Sequence, residues 1–207
     1  MKQTLPCVLL LLFIIATTSL FSSTTADQDV KDSTGNKVLD NVPYRIGPVT
    51  KGGQIKLTDT IAKKKVCPFN PVQDPAQNAI GSQFRFTMPR KTKYLRTSSV
   101  IGIDSGSSKL DQCNESTFWT VPDAEAKPPS NLITTGGGFD QAITCFQIVG
   151  YPKPTNPKVH SYMLQHCPSF CGAGPSTCFN ISIHMDNGVR RFSTTGGTPF
   201  EFVFYKV

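Results

Sequence analysis

Three cations and a proline stand within five positions at Pro89-Arg90-Lys91-Thr92-Lys93. Proline fixes its own φ at about −65° and biases the preceding residue, Met88, toward extended backbone. An extended segment bearing an exposed Lys or Arg is shaped like a substrate for a protease whose pocket carries a carboxylate at its base. Taken alone, such a cluster is a solvated basic turn, and Lys63-Lys64-Lys65 reads the same way before Cys67. Other reactive groupings are sparse. His160, His166 and His184 are too few and too scattered for a metal centre. Cys167 and Cys171 lie beside His166, but a Cys-x3-Cys spacing without a second ligand pair does not make a zinc site. No Gly-x-Ser-x-Gly, His-Glu-x-x-His, phosphate-binding loop or dinucleotide fingerprint is present, and nothing marks a pair of working carboxylates. The expectation is therefore no enzyme, no metal and no cofactor.

The cysteines say where such a chain works. There are seven in 207 residues, and an odd count requires an explanation. Lys2 followed by an apolar run over residues 5–16, and then by Thr24-Thr25-Ala26, has the layout of a secretory signal peptide cut before Asp27. Its apolar core is too short for a membrane span, and no later run approaches the length of about 18 residues that a span requires. Cleavage discards Cys7 and Lys2, leaving six cysteines and a net charge of +6. Cys67, Cys113, Cys145, Cys167, Cys171 and Cys178 then read as disulfides of a secreted protein. Two sequons, beginning at Asn114 and Asn180, are candidate glycan sites. The basic charge lacks the interleaved aromatics of a nucleic-acid surface, so no nucleic acid is expected, nor a membrane.

The elements that must carry these residues are strands. Short runs at 44–49, 54–61, 83–88, 98–103, 117–121, 131–135, 144–149, 159–166, 179–185, 189–194 and 200–206 are mostly bounded by Gly, Pro, Asn or Asp. Several alternate: Phe84, Phe86 and Met88 share a face, as do Ile181, Ile183 and Met185, and Phe200, Phe202 and Phe204. Asn187-Gly188 between two alternating runs is a hairpin signal, and the three glycines at 136–138 read as a turn. No helical period extends over 12 residues, and 76–80 is at most one turn. Trp119 is a core residue. The pattern is all-β, closed or sandwiched, and periodicity alone does not choose among barrel, sandwich and trefoil.

The order of blocks identifies a family. Val30-Lys31-Asp32-Ser33-Thr34-Gly35 leading to Tyr44-Arg45-Ile46 resembles the N-terminal signature of the plant Kunitz-type inhibitors, the soybean trypsin inhibitor family. Gly52-Gly53-Gln54-Ile55-Lys56-Leu57 with Cys67-Pro68 resembles its second block, and Cys113 with Ser116-Thr117-Phe118-Trp119 its third. Tyr162, Cys167-Pro168, Cys178, Asn187-Gly188-Val189-Arg190-Arg191 and Phe200-Glu201-Phe202-Val203-Phe204 complete the series. The resemblance implies a β-trefoil of about twelve strands, six closing a barrel and six capping it. It implies a signal peptide at 1–26 and one inhibitor domain at 27–207. It also implies disulfides Cys67–Cys113 and Cys167–Cys178. That leaves Cys145 to pair with Cys171, the competing arrangement being Cys167–Cys171 with Cys145–Cys178.

Carried onto this chain, the family's reactive loop falls on Pro89, Arg90, Lys91, Thr92 and Lys93. Lys91 takes the specificity position and Lys91–Thr92 the scissile bond. A residue beneath the loop that holds it by hydrogen bonds falls on Asp40, with Asn41 beside it; a carboxylate accepts but cannot donate. The implied partner is a trypsin-like serine protease, bound by a monomer. Two other functions known among relatives are a papain-like cysteine protease as target, through a different loop, and the binding of chlorophyll.

Overall fold

The computed structural model describes residues 27–106, 113 and 116–207. The leader at 1–26 and the sequon asparagine Asn114 lie outside the described residues. Three units of the same plan follow one another, each a barrel strand, a hairpin and a second barrel strand. The first consists of β1 (Pro43–Pro48), the hairpin of β2 (Ile55–Ile61) and β3 (Lys64–Gln73), and β4 (Phe84–Thr87). The second is β5 (Val100–Asp104), the hairpin of β6 (Phe118–Thr120) and β7 (Thr134–Gly137), and β8 (Phe146–Gly150). The third opens with β9 (Tyr162–His166) and the two-residue β10 (Phe179–Asn180). Its hairpin is β11 (Ser182–Asp186) and β12 (Val189–Ser193), and β13 (Phe202–Lys206) closes it.

All pairings among these strands are antiparallel, and six of them form a ring: β1–β4, β4–β5, β5–β8, β8–β9, β9–β13 and β13–β1. The ring is a consequence of alternation. Each barrel strand turns two residues, two apart, into the interior: Tyr44 and Ile46, Phe84 and Phe86, Ile101 and Ile103, Phe146 and Ile148, Tyr162 and Leu164, Phe202 and Phe204. Each such side chain stabilises the fold by about 1.5–3 kcal/mol when fully buried. The hairpins seal one end. Trp119 from β6 sits edge-on to Phe84, with ring centroids 5.0 Å apart, and stacks on Phe192 of β12 at 6.4 Å. Its indole N–H donates to Ser105 Oγ at 3.0 Å, so the buried ring leaves no orphan donor.

Several expectations are corrected. No strand is expected over the residues of the longest one, β3, in which Pro68 and Pro71 lack a ladder donor. The ladder survives because it slips: Thr60 pairs with Lys65 and Thr58 with Asn70, so a bulge accommodates Cys67 and Pro68. Lys63 alone stays in the turn, and Lys64 and Lys65 open β3. The strand expected at 131–135 lies at Thr134–Gly137, which places Gly136 and Gly137 in a strand rather than a turn. A Cβ on Gly137 would collide with the Thr144 side chain, and this close approach explains the glycine. Thr144 itself belongs to a 3-10 turn, Ala142–Thr144. The run at 179–185 divides at Ile181, and Met185 is exposed rather than facing the core with Ile181. Asn187 and Gly188 form the hairpin turn with φ of 49° and 79°, the positive pair that a type I′ turn requires.

Candidate functional site

Strand β4 ends where the basic loop begins. Phe84 and Phe86 anchor it in the barrel, and Met88 continues the alternation inward, only 9% exposed. Pro89, Arg90, Lys91, Thr92 and Lys93 then run across the surface, all exposed, before Leu95 returns to the core with no exposed area. The loop is thus a five-residue arch with a buried foot on each side.

A second piece of chain fixes the arch. Residues 28–39 lie against its returning arm through bridges Asp29–Arg96 and Leu39–Tyr94. Val30 N–H donates to Leu95 O and Leu95 N–H to Val38 O, both at 2.9 Å. Val30 and Val38 are fully buried beside Leu95. Asp40 comes next and touches both sides of the arch. Its Oδ1 accepts the Met88 N–H at 3.1 Å, and its own N–H donates to Lys93 O at 3.2 Å. Asn41 has φ of 55° and uses its main-chain N–H on Phe86 O at 2.9 Å. The amide of Asn41 makes no hydrogen bond to another described residue, so the polar group beneath the loop is the Asp40 carboxylate. Lys93 lies over the Tyr94 ring at 5.2 Å, and Lys37, paired with Asp29, covers that ring from 4.9 Å. Lys93 is therefore directed back onto the protein. The N-terminal ribbon and Tyr94 were not among the sequence candidates; their pairing joins residues about sixty positions apart through isolated bridges, and no local periodicity marks it.

Cysteine bonds bound the rest of the surface. Cys67, in the β3 bulge, is joined to Cys113, with Cα atoms 5.6 Å apart. Cys145 is joined to Cys171 and Cys167 to Cys178. With their thiols oxidised, Cys167 and Cys171 are not available as ligands. No group of His, Cys, Asp or Glu among the described residues is arranged to hold a metal. His166 is buried beside this cluster, its ring against Phe146, and Nε2 donates to Ala142 O at 3.1 Å. Burial drives its pKa down to about 4, against the opposing pull of the Ala142 and Ile143 carbonyls. The imidazole is therefore neutral, and it is a structural rather than a reactive group.

The ring of six strands with three hairpins is a β-trefoil, and solved trefoils superpose on it. The potato Kunitz-type cysteine protease inhibitor PCPI-3 does so with a TM-score of 0.70 at 23% identity, over 88% of this chain and 98% of that one. Soybean trypsin inhibitor in complex with porcine pancreatic trypsin gives 0.68 at 20% identity, over 87% and 99%. The water-soluble chlorophyll protein of Brassica oleracea, with chlorophyll b, gives 0.68 at 24%, again over 87% and 99%. Likeness at this identity defines the fold alone. The family follows from sequence. Residues 30–206 match the legume Kunitz family, described as trypsin and protease inhibitors, and the chain belongs to that family. Among curated relatives, the latex serine proteinase inhibitor of Carica papaya is 28% identical over 190 residues, covering 87% of this chain and 98% of that protein. Members of the family are inhibitors rather than enzymes.

Proposed function

We propose that this protein inhibits trypsin-like serine proteases by presenting residues 89–93 as a substrate, with Lys91 entering the specificity pocket. The observation that carries this reading is the arch itself: five exposed residues, three of them cationic, between buried Met88 and Leu95, with Asp40 bonded to both sides. A loop already ordered loses little entropy on docking, which separates an inhibitor from a passing substrate. Within the loop, Lys93 is turned onto Tyr94, whereas Lys91, the middle residue of the five, is exposed. A lysine there supplies the counter-charge to a carboxylate at the base of a trypsin-type pocket. Around it, Cys67–Cys113 closes a segment of sequence separation 46 that contains the whole loop. On the chain-entropy account this constraint contributes about 4 kcal/mol.

The same reading assigns residues 1–26 to a secretory signal and 27–207 to one inhibitor domain acting as a monomer, outside the cell or in a vacuole. Asn180 is exposed on β10 and is open to N-glycosylation in that compartment. Titrating trypsin with the wild type and with Lys91→Ala tests the central point. Loss of inhibition in the variant supports it, and equal inhibition by both overturns it. Papain, assayed in parallel, reports whether a cysteine protease is a target through another loop.

A further inference from the structure

Thr92 occupies the position immediately after the proposed scissile bond, and although the residue is exposed its hydroxyl is turned back onto the loop's own chain. Its Oγ1 lies 3.0 Å from Tyr94 O and 3.3 Å from Met88 Sδ. A hydroxyl has one proton, so the two acceptors share it. The carbonyl is the stronger acceptor, and the thioether is a weak one. The two contacts differ in what they connect. Tyr94 lies on the same side of the Lys91–Thr92 bond as Thr92, whereas Met88 lies on the other. Met88 is itself fixed, by its burial and by the bond from its N–H to Asp40.

We propose that Thr92 is a positioning residue for resealing the Lys91–Thr92 bond, its hydroxyl spanning the cut to hold the new amine in place. The inference rests on the assignment of Lys91 above. When a serine protease attacks, the Lys91 carbonyl carbon becomes an ester on the protease serine, and Thr92 becomes the free amine. In the return step the Thr92 nitrogen attacks that carbon. The ester C–O bond breaks, and a proton from the amine passes to the serine oxygen, so no outside reactant is consumed. The step requires the amine to stay within reach while water competes for the ester. Asp40 already ties the main chain across the gap, through Met88 N–H on one side and Lys93 O on the other. The Thr92 hydroxyl adds a tie at the amine-bearing residue itself.

The test uses chain cleaved by trypsin, purified, and then mixed with catalytic trypsin while mass spectrometry follows the return of intact chain. Thr92→Val keeps the shape of the side chain and removes the hydroxyl. It should slow resealing roughly twofold, the low end of a hydrogen bond's contribution, because the acceptor across the cut is a thioether. Thr92→Ser should restore the wild-type rate, and Met88→Leu should slow it in the same direction. The melting temperature of each variant separates this effect from loss of fold. Resealing of Thr92→Val at the wild-type rate overturns the inference and leaves the Lys91 assignment standing. Cleavage at a bond other than Lys91–Thr92 overturns both.

Discussion

Removing the Asp40 carboxylate isolates a side-chain contact that supports the loop from below. In Asp40→Ala the main-chain bond from residue 40 N–H to Lys93 O is retained, while the bond from Met88 N–H to Oδ1 is lost. A hydrogen bond to a charged acceptor contributes about 1.5–3 kcal/mol. Asp40 is partly exposed and the bond is 3.1 Å long, which places it at the lower end, about 1.5 kcal/mol. The substitution also leaves the Met88 N–H without a partner at the edge of the core, where water replaces it poorly. If the loop must be ordered again on binding, that loss appears as roughly a tenfold increase in the inhibition constant for trypsin. Asp40→Asn keeps an oxygen acceptor in place and gains a donor, so its loss should be only a few-fold. The assay is the inhibition constant for wild type, Asp40→Ala and Asp40→Asn, with melting temperatures measured on the same preparations. Inhibition by Asp40→Ala within a factor of two of wild type refutes the reasoning. So would an equal loss in both variants, since charge and acceptor geometry would then be irrelevant.

Two further predictions concern stability. The folded state keeps His166 neutral down to about pH 4, while the unfolded chain takes up its proton below the ordinary value of 6.5. Stability contributed by the neutral ring is therefore complete above pH 6.5 and is lost as the pH falls toward 4, by about 2 kcal/mol at pH 4.5. Urea midpoints at pH 7 and pH 4.5 should show this slope in the wild type and a smaller one in His166→Gln. Equal slopes would assign the acid sensitivity to other groups. The Cys145–Cys171 bond closes a sequence separation of 26, so the double variant Cys145→Ser, Cys171→Ser should lose about 3 kcal/mol by the chain-entropy account. Because this bond does not enclose the basic loop, trypsin inhibition at 25 °C should change little; a parallel collapse of inhibition would show the two regions to be coupled.

Much of the fold was legible because alternation writes itself into sequence. Phe84 and Phe86, or Phe202 and Phe204, announce both the strand and the face that turns inward. The Asn187-Gly188 turn was legible because few residues tolerate two consecutive positive φ angles. β3 was not, because its ladder is kept across prolines by a bulge whose register depends on the partner strand. The threefold plan was hidden for a related reason: the three units share pairings and not side chains. At the site, the basic cluster was visible as composition, but only the family resemblance distinguished it from Lys63-Lys64-Lys65. The ribbon at 28–39 was legible as a family block, but its pairing with the returning arm at Tyr94 was not, since isolated bridges carry no period.

The barrel is completed by its first and last strands. Tyr44 pairs with Lys206, Ile46 with Phe204, and the Ser33 N–H donates to Phe204 O at 2.8 Å. During synthesis, then, no ring exists until the final strand has left the ribosome, and β1 waits with Tyr44 and Ile46 uncovered while the intervening chain is made. Pairing over such a distance carries a loop-closure cost that is met before any of its contacts form, and this places the protein among slowly folding topologies. The same adjacency sets the start of β1 against the end of β13, so losing β13 would bare the edges of both β1 and β9 and open the ring at two places at once.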